Sequence, residues 1–123
     1  MAQQWQTVRI SNIEPRRDTD GDIVDAHAGA ALDIFDGRYW IFGVSYFDSD
    51  GNDDAQHYHA YSSPDMQTWT FHRNDNPSDD LLTDRNPPGG RYYRPYVVYN
   101  ERTKAYVLWY KEMRHQGVAT ASR

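Results

Sequence analysis

Apolar and polar residues alternate with a period of two over much of this chain, the spacing that turns successive side chains to opposite faces of a β-strand. The pattern predicts short strands and no helix of ordinary length. Residues 6–10 (Gln-Thr-Val-Arg-Ile) read as a first, edge-type strand, and residues 14–22 as a polar connection that turns at Asp20-Gly21. Asp25-Ala26-His27-Ala28-Gly29 then runs into residues 30–46: a strand, a tight Asp36-Gly37 turn, and a second strand from Arg38 to Tyr46. That second strand is apolar or aromatic on both faces, so it is predicted to be covered on both sides. Residues 56–63 and 69–73 add two strands about a turn at Ser62-Ser63-Pro64-Asp65, which completes a four-stranded meander. Residues 74–90 shift to Asn, Asp, Pro and Gly, a surface crossing whose Leu81-Leu82 pair tucks against the sheet. Residues 91–100, 104–113 and 116–122 supply three further strands.

The second half repeats the first. A shift of 67 residues (30 to 97, 39 to 106) lays Ala30-Ala31-Leu32-Asp33 over Val97-Val98-Tyr99-Asn100, and Tyr39-Trp40-Ile41-Phe42 over Tyr106-Val107-Leu108-Trp109. Meanders recurring at such a period behave as propeller blades, each needing neighbours to cover its faces. The fold class is therefore all-β, with antiparallel four-stranded meanders as β-propeller blades, about two of them. They form one domain over residues 1–123: a first blade at 22–73, a linker at 74–90, and a second, incomplete blade at 91–123. Two blades leave an open flank of strand edge and apolar face, which predicts self-association or further blades of a longer chain.

Composition narrows the partners. Aromatic residues make up 15% of the 123 positions, with ten Tyr and four Trp, so large rings must fill much of a single core. A net charge of −5 offers no basic face for a phosphate backbone and argues against nucleic acid. No apolar run is long enough to span a membrane, and Met1-Ala2-Gln3-Gln4-Trp5 lacks the basic and apolar regions of a secretory signal. Without cysteine there is no disulfide, thiolate nucleophile or Cys-type zinc site, and no cofactor is implied.

The candidate chemistry is sparse. Asp25 and His27, two apart on a strand, share a face, either as a catalytic rim or as a turn-satisfying carboxylate beside a histidine filling a polar gap. The Asp-rich loop at 48–54 has a D-x-D-x-N spacing but lacks the Gly and Glu of a calcium loop, so it reads as a solvated hairpin loop. His57 and His59 share a face without a third ligand in obvious spacing, which favours half-exposed strand histidines over a metal pair. Trp40, Trp69 and Trp109 suit stacking on a sugar ring, although the repeat equates Trp109 with Phe42 and favours core for both. No Gly-x-Ser-x-Gly accompanies Ser62-Ser63, so a serine hydrolase is disfavoured.

Five motifs taken in order carry a resemblance. Asp25-Ala26-His27-Ala28-Gly29, Asp36-Gly37-Arg38-Tyr39-Trp40, residues 61–69 (Tyr-Ser-Ser-Pro-Asp-Met-Gln-Thr-Trp), residues 94–109 beginning Arg94-Pro95-Tyr96, and residues 117–122 resemble the first two blades of glycoside hydrolase family 43. The similarity is greatest to its exo-β-1,3-galactanase branch. The resemblance implies a five-bladed propeller with an axial active site and inverting hydrolysis of a β-linked, galactan-type polysaccharide. Asp25 would stand near the general base, and His27 would line the axis or touch sugar. Arg94 would match the arginine of a Glu-Arg-Pro pattern, with Tyr92 and Tyr93 beside it as substrate contacts. Two departures matter: Tyr93 occupies the place of that Glu, and the stretches that would supply the general acid are absent from these residues. A non-catalytic carbohydrate-binding or assembly module derived from the same scaffold is the alternative. An extracellular or periplasmic setting would follow if the parent protein is secreted.

Overall fold

The computed structural model describes residues 7–29, 33–46, 57–83 and 92–122. Among these residues seven strands form two antiparallel sheets. Sheet 1 has the order β1 (Asp33–Phe35), β2 (Arg38–Val44), β3 (Tyr58–Ser63), β4 (Thr70–Phe71), and sheet 2 the order β5 (Tyr92–Asn100), β6 (Ala105–Glu112), β7 (Gln116–Ala121). The fold is all-β and matches a partial propeller, one four-stranded meander followed by a three-stranded one. A short 3-10 turn at Pro77–Asp79 is the sole helical element among the described residues.

Each sheet begins with a hairpin, and the two turns differ. Asp36 and Gly37 both adopt left-handed backbone (φ 51° and 72°), so a two-residue turn sets Phe35 opposite Arg38. In sheet 2 four residues intervene, and Asn100 stands opposite Ala105, its Oδ1 accepting the N–H groups of Arg102 and Thr103. The second strands therefore correspond at 67 residues (38 to 105), but the first strands correspond at 65 (35 to 100). The overlay of Asp33 on Asn100 is two residues out of register. A slip of two keeps every side chain on its face, which is why the repeat remained visible.

The core lies between the sheets. Trp40, Phe42 and Val44 on β2, with Tyr58 and Ala60 on β3, form the front of sheet 1 and look toward Tyr92, Val97, Tyr106, Leu108, Tyr110 and Ala119 on the back of sheet 2. Tyr58 is fully buried at the centre, edge-on to Tyr92 with ring centroids 6.5 Å apart and 88° between planes. Leu82 closes this cluster at 5% exposure, with Leu81 beside it. On the opposite face of sheet 1 His59 and Tyr61 are buried, whereas Ile34 on β1 is 65% exposed.

Three expectations are corrected. Residues 7–10 form no strand, because the outer flank of sheet 1 is taken instead by residues 18 and 19: Asp18 bridges Trp69, and Thr19 N–H donates to the Trp69 carbonyl. Trp109 is 50% exposed rather than core. It occupies the position of Phe42, but Phe42 has sheet 2 in front of it, while no third sheet fronts Trp109 among the described residues. Ser62 and Ser63 belong to β3 and are fully buried, and the turn is built around Asp65, whose Oδ1 accepts from the N–H groups of Gln67 and Thr68. Those hydrogen bonds, Thr68 first, hold the Asp65 carboxyl below its usual range.

Candidate functional site

Asp25, Ala26 and His27 run alongside the end of β2 remote from its hairpin turn. His27 and Val44 exchange both backbone hydrogen bonds, at 2.8 and 2.7 Å. Such close approach requires glycine at 43, where an added Cβ would lie 2.7 Å from the Ala26 Cα. The expected shared rim of Asp25 and His27 is present, with His27 Nε2 3.2 Å from Asp25 Oδ1. The same oxygen accepts the Tyr46 N–H at 2.7 Å, and the Asp25 N–H donates to the Tyr61 hydroxyl at 3.0 Å. Burial pushes the Tyr61 phenol above the usual tyrosine range, with nearby carboxylates including Asp25 adding to the shift, so it stays protonated at neutral pH. Asp25 thereby pins Tyr46, and the Tyr46 ring lies flat against the His27 imidazole, centroids 4.1 Å apart and planes within 3°. The His27 side chain remains 46% exposed.

Sheet 2 meets this rim through Tyr58. Val44 pairs with His27 on one side and Tyr58 on the other, and the Tyr58 hydroxyl donates to the Tyr93 carbonyl at 3.0 Å. Tyr93 and Arg94 therefore sit at the same end of the sheets as Asp25 and His27. They form a β-bulge between Tyr93 and Tyr96 in which Arg94 takes left-handed backbone (φ 53°) and projects an exposed side chain. Ala28, directly after His27, is left-handed too (φ 51°), so the rim carries two strained non-glycine residues, Ala28 in the segment beside β2 and Arg94 in β5. Tyr92, expected to touch substrate, does not belong to the rim. It is 1% exposed and packs on Tyr58 and Tyr110, because strand alternation turns it into the inter-sheet core.

Three groups went unrecognised in the sequence. Tyr46 reads there only as one more strand aromatic, and its stacking on His27 depends on the Asp25 hydrogen bond. Asp80 is 4% exposed; one oxygen accepts the N–H groups of Tyr58 and Leu82, and the other lies 3.1 Å from His57 Nδ1. Glu112, opposite Tyr92 and equally buried, accepts the Arg114 N–H at 2.9 Å and closes the β6–β7 turn. The Asp79-Asp80 pair preceding Leu81-Leu82 was the available signal, a carboxylate beside residues destined for the core. His59 is buried rather than half exposed, with Nε2 2.9 Å from the Ser78 carbonyl, so His57 and His59 have separate partners. The calcium-like stretch at 48–54 lies outside the described residues.

A cleft of about 390 Å³ opens between the sheets near the Asp36-Gly37 turn, at the other end from His27. Its walls are mainly apolar, including Trp40, Phe42, Val97 and Leu108, which does not suit a hydroxyl-rich ligand. His72 also lines it, with Nε2 2.7 Å from Ser62 Oγ, and that oxygen accepts from Arg38 Nε at 3.1 Å. Burial, aided by the Arg38 charge, holds His72 below the usual histidine range. Ser62 is fully buried, which removes it as a nucleophile despite the histidine contact.

No protein-family model matches the sequence, and no curated protein matches it significantly. Solved structures do. An exo-β-1,3-galactanase from Clostridium thermocellum aligns over 93% of this chain and 25% of its own, with TM-score 0.73 and 21% identity. The galactose-bound exo-β-1,3-galactanase of Phanerochaete chrysosporium aligns over 93% and 27%, with TM-score 0.67 and 21% identity. A family 43 β-1,3-galactosidase aligns over 96% and 26%, with TM-score 0.63 and 23% identity. The chain thus spans about a quarter of the length of these proteins. Its fold is that of part of a family 43 propeller glycosidase.

Proposed function

We propose that this chain recognises β-1,3-linked galactan-type carbohydrate at the rim formed by Asp25, His27, Tyr46, Tyr93 and Arg94. The observation that carries the reading is the coplanar His27–Tyr46 stack, pinned by Asp25 and set at the same end of the sheets as the exposed Arg94 guanidinium. The apolar C–H face of a pyranose suits a flat aromatic surface, and a guanidinium donates paired hydrogen bonds to hydroxyls or a carboxylate. The similar solved proteins are named for β-1,3-galactan or β-1,3-galactoside, and one holds galactose, which supports that ligand class.

These residues by themselves bind rather than hydrolyse. Inverting hydrolysis needs two carboxyl groups on opposite sides of the bond with a water between them. Asp25 Oδ1 is engaged by the Tyr46 N–H and by His27, and Tyr93 stands where the resemblance expects Glu. Hydrolysis is the second reading, favoured by the direct Asp25–His27 contact and by Asp25 as its base. Calorimetric titration with β-1,3-galactotriose, alongside a reducing-sugar assay on galactan, separates the two. Binding weakened at least about tenfold in His27→Ala, without sugar release, supports recognition. Sugar release abolished in Asp25→Asn establishes hydrolysis, and neither heat nor release overturns both.

A further inference from the structure

We propose that two tyrosine hydroxyls on β3, those of Tyr58 and Tyr61, are the positioning groups of the rim: from opposite faces of sheet 1 they fix the backbone that aims Arg94 on one side and Asp25 on the other. Residues 58 and 61 are three apart on one strand, so their rings leave it on opposite faces. Both rings are buried, at 0% and 3% exposure, and a tyrosine buried this deeply needs a partner for its hydroxyl. In each case that partner is backbone at the rim. Tyr58 donates to the Tyr93 carbonyl and Tyr61 accepts the Asp25 N–H, both at 3.0 Å. The two bonds therefore do not depend on which side chain stands at 25 or 93.

Each bond holds one peptide plane. The Tyr93 carbonyl and the Arg94 N–H belong to the same planar unit, inside the bulge where Arg94 is left-handed, so holding that carbonyl fixes the direction in which the guanidinium leaves the sheet. On the other side, residues 24–27 lie outside the seven strands. They are held by the Val24 N–H on the Arg16 carbonyl at 2.9 Å, by the His27–Val44 exchange, and between these by Tyr61 on Asp25. Asp25 Oδ1 then takes the Tyr46 N–H, and the Tyr46 ring carries the stack on His27, so a displaced Asp25 backbone displaces the stack. Both rings are fixed by their neighbours. Tyr58 packs on Tyr92 and Tyr110 with centroids 6.5 and 6.2 Å away, and Tyr61 on Phe71 at 5.0 Å. One strand thus sets the separation of the His27–Tyr46 surface from Arg94.

The geometric claim stands without the carbohydrate reading, and only its effect on affinity rests on that reading. Tyr58→Phe and Tyr61→Phe, made separately in the full 123-residue chain, delete the hydroxyls and keep the rings. Tyr61→Phe is expected to move the Asp25 and Tyr46 amide resonances in NMR spectra and to relieve the upfield ring-current shift that the Tyr46 ring imposes on the His27 ring protons. Tyr58→Phe is expected to move the Tyr93 and Arg94 amides and to leave the His27 ring protons where they were. Asn100→Ala weakens the far turn of sheet 2 without touching either bond, and is expected to move none of these signals. In calorimetric titration each tyrosine variant is expected to bind β-1,3-galactotriose about three- to tenfold more weakly than the wild type. If Tyr58→Phe does not fold, Tyr61→Phe decides. An unmoved His27 ring shift in Tyr61→Phe, or wild-type affinity in both variants, overturns the proposal. A wild type that binds no galactotriose overturns the carbohydrate reading instead, and the His27 ring shift then decides this one.

Discussion

Sheets 1 and 2 begin from the same repeated hairpin, yet the β2 face that carries Phe42 packs against sheet 2, while among the described residues no sheet fronts the corresponding face of sheet 2. Phe42 and Trp109 hold equivalent positions; the first packs into the inter-sheet core and the second is half exposed. A strand's sequence therefore states which side chains share a face, and the neighbouring sheet decides whether that face is buried. The same contrast separates the two ends of the molecule. At the Asp36-Gly37 end the sheets part around an apolar cleft, and at the Val44 end Tyr58 joins them beneath the candidate rim.

The largest expected effect tests that junction. Tyr58→Ala removes a fully buried ring and its hydrogen bond to Tyr93, and is expected to lower stability by about 3–5 kcal/mol in urea denaturation. Trp109→Ala is expected to lower it by less than about 1 kcal/mol. Equal losses would show that sheet 2 is covered on both sides after all.

Glycine substitutions sharpen the comparison at the next level. An alanine Cβ at 43 would meet backbone, the Ala26 carbonyl carbon at 2.4 Å, so Gly43→Ala is expected to reduce stability by about 1–3 kcal/mol and to expose the His27 amide to hydrogen exchange. At 117 the added Cβ would meet the far end of the Tyr110 ring, which can swing aside, and Gly117→Ala should have the smaller effect. A reversed order would place the rigid packing in sheet 2.

Protonation provides a third contrast, since the half-buried imidazole at 72 belongs to the sheet 1 side of the cleft. Burial, then the Arg38 charge, depresses the His72 pKa below 6.5, so the unfolded chain binds a proton there first. Stability from this group is complete above about pH 6.5 and declines as pH falls from that value toward the lower, folded-state one. Thermal melts of His72→Gln should lose that part of the slope; an unchanged slope would assign it elsewhere. The smallest effect is expected at the sheet 2 turn, where Asn100→Ala deletes the acceptor for two backbone N–H groups and should lower stability by about 0.5–1 kcal/mol by thermal melting.

Local chemistry made much of the strand plan readable. Asp36-Gly37 demands left-handed backbone and so a tight hairpin, and the alternation through 104–113 and 116–122 marks β6 and β7 closely. The strand expected at 6–10 was less legible, because an edge position is won by competition, and residues 18 and 19 hold the site beside Trp69. Within the candidate rim the contact of Asp25 with His27 followed from a spacing of two. Tyr92 was misplaced because three consecutive residues, Tyr92, Tyr93 and Arg94, looked alike as ligand contacts, and only the bulge determines which of them leave the core.

By itself, the sequence determined the all-β class, the recurrence of the hairpin and the facing of side chains within each strand, since these depend on backbone geometry over a few residues. Tertiary structure alone decided that Tyr58 joins the two sheets, that Tyr46 lies on His27 and that Trp109 faces outward. Each of those outcomes depends on contacts between segments distant in the chain, and alternation along one strand carries no information about what will stand opposite it.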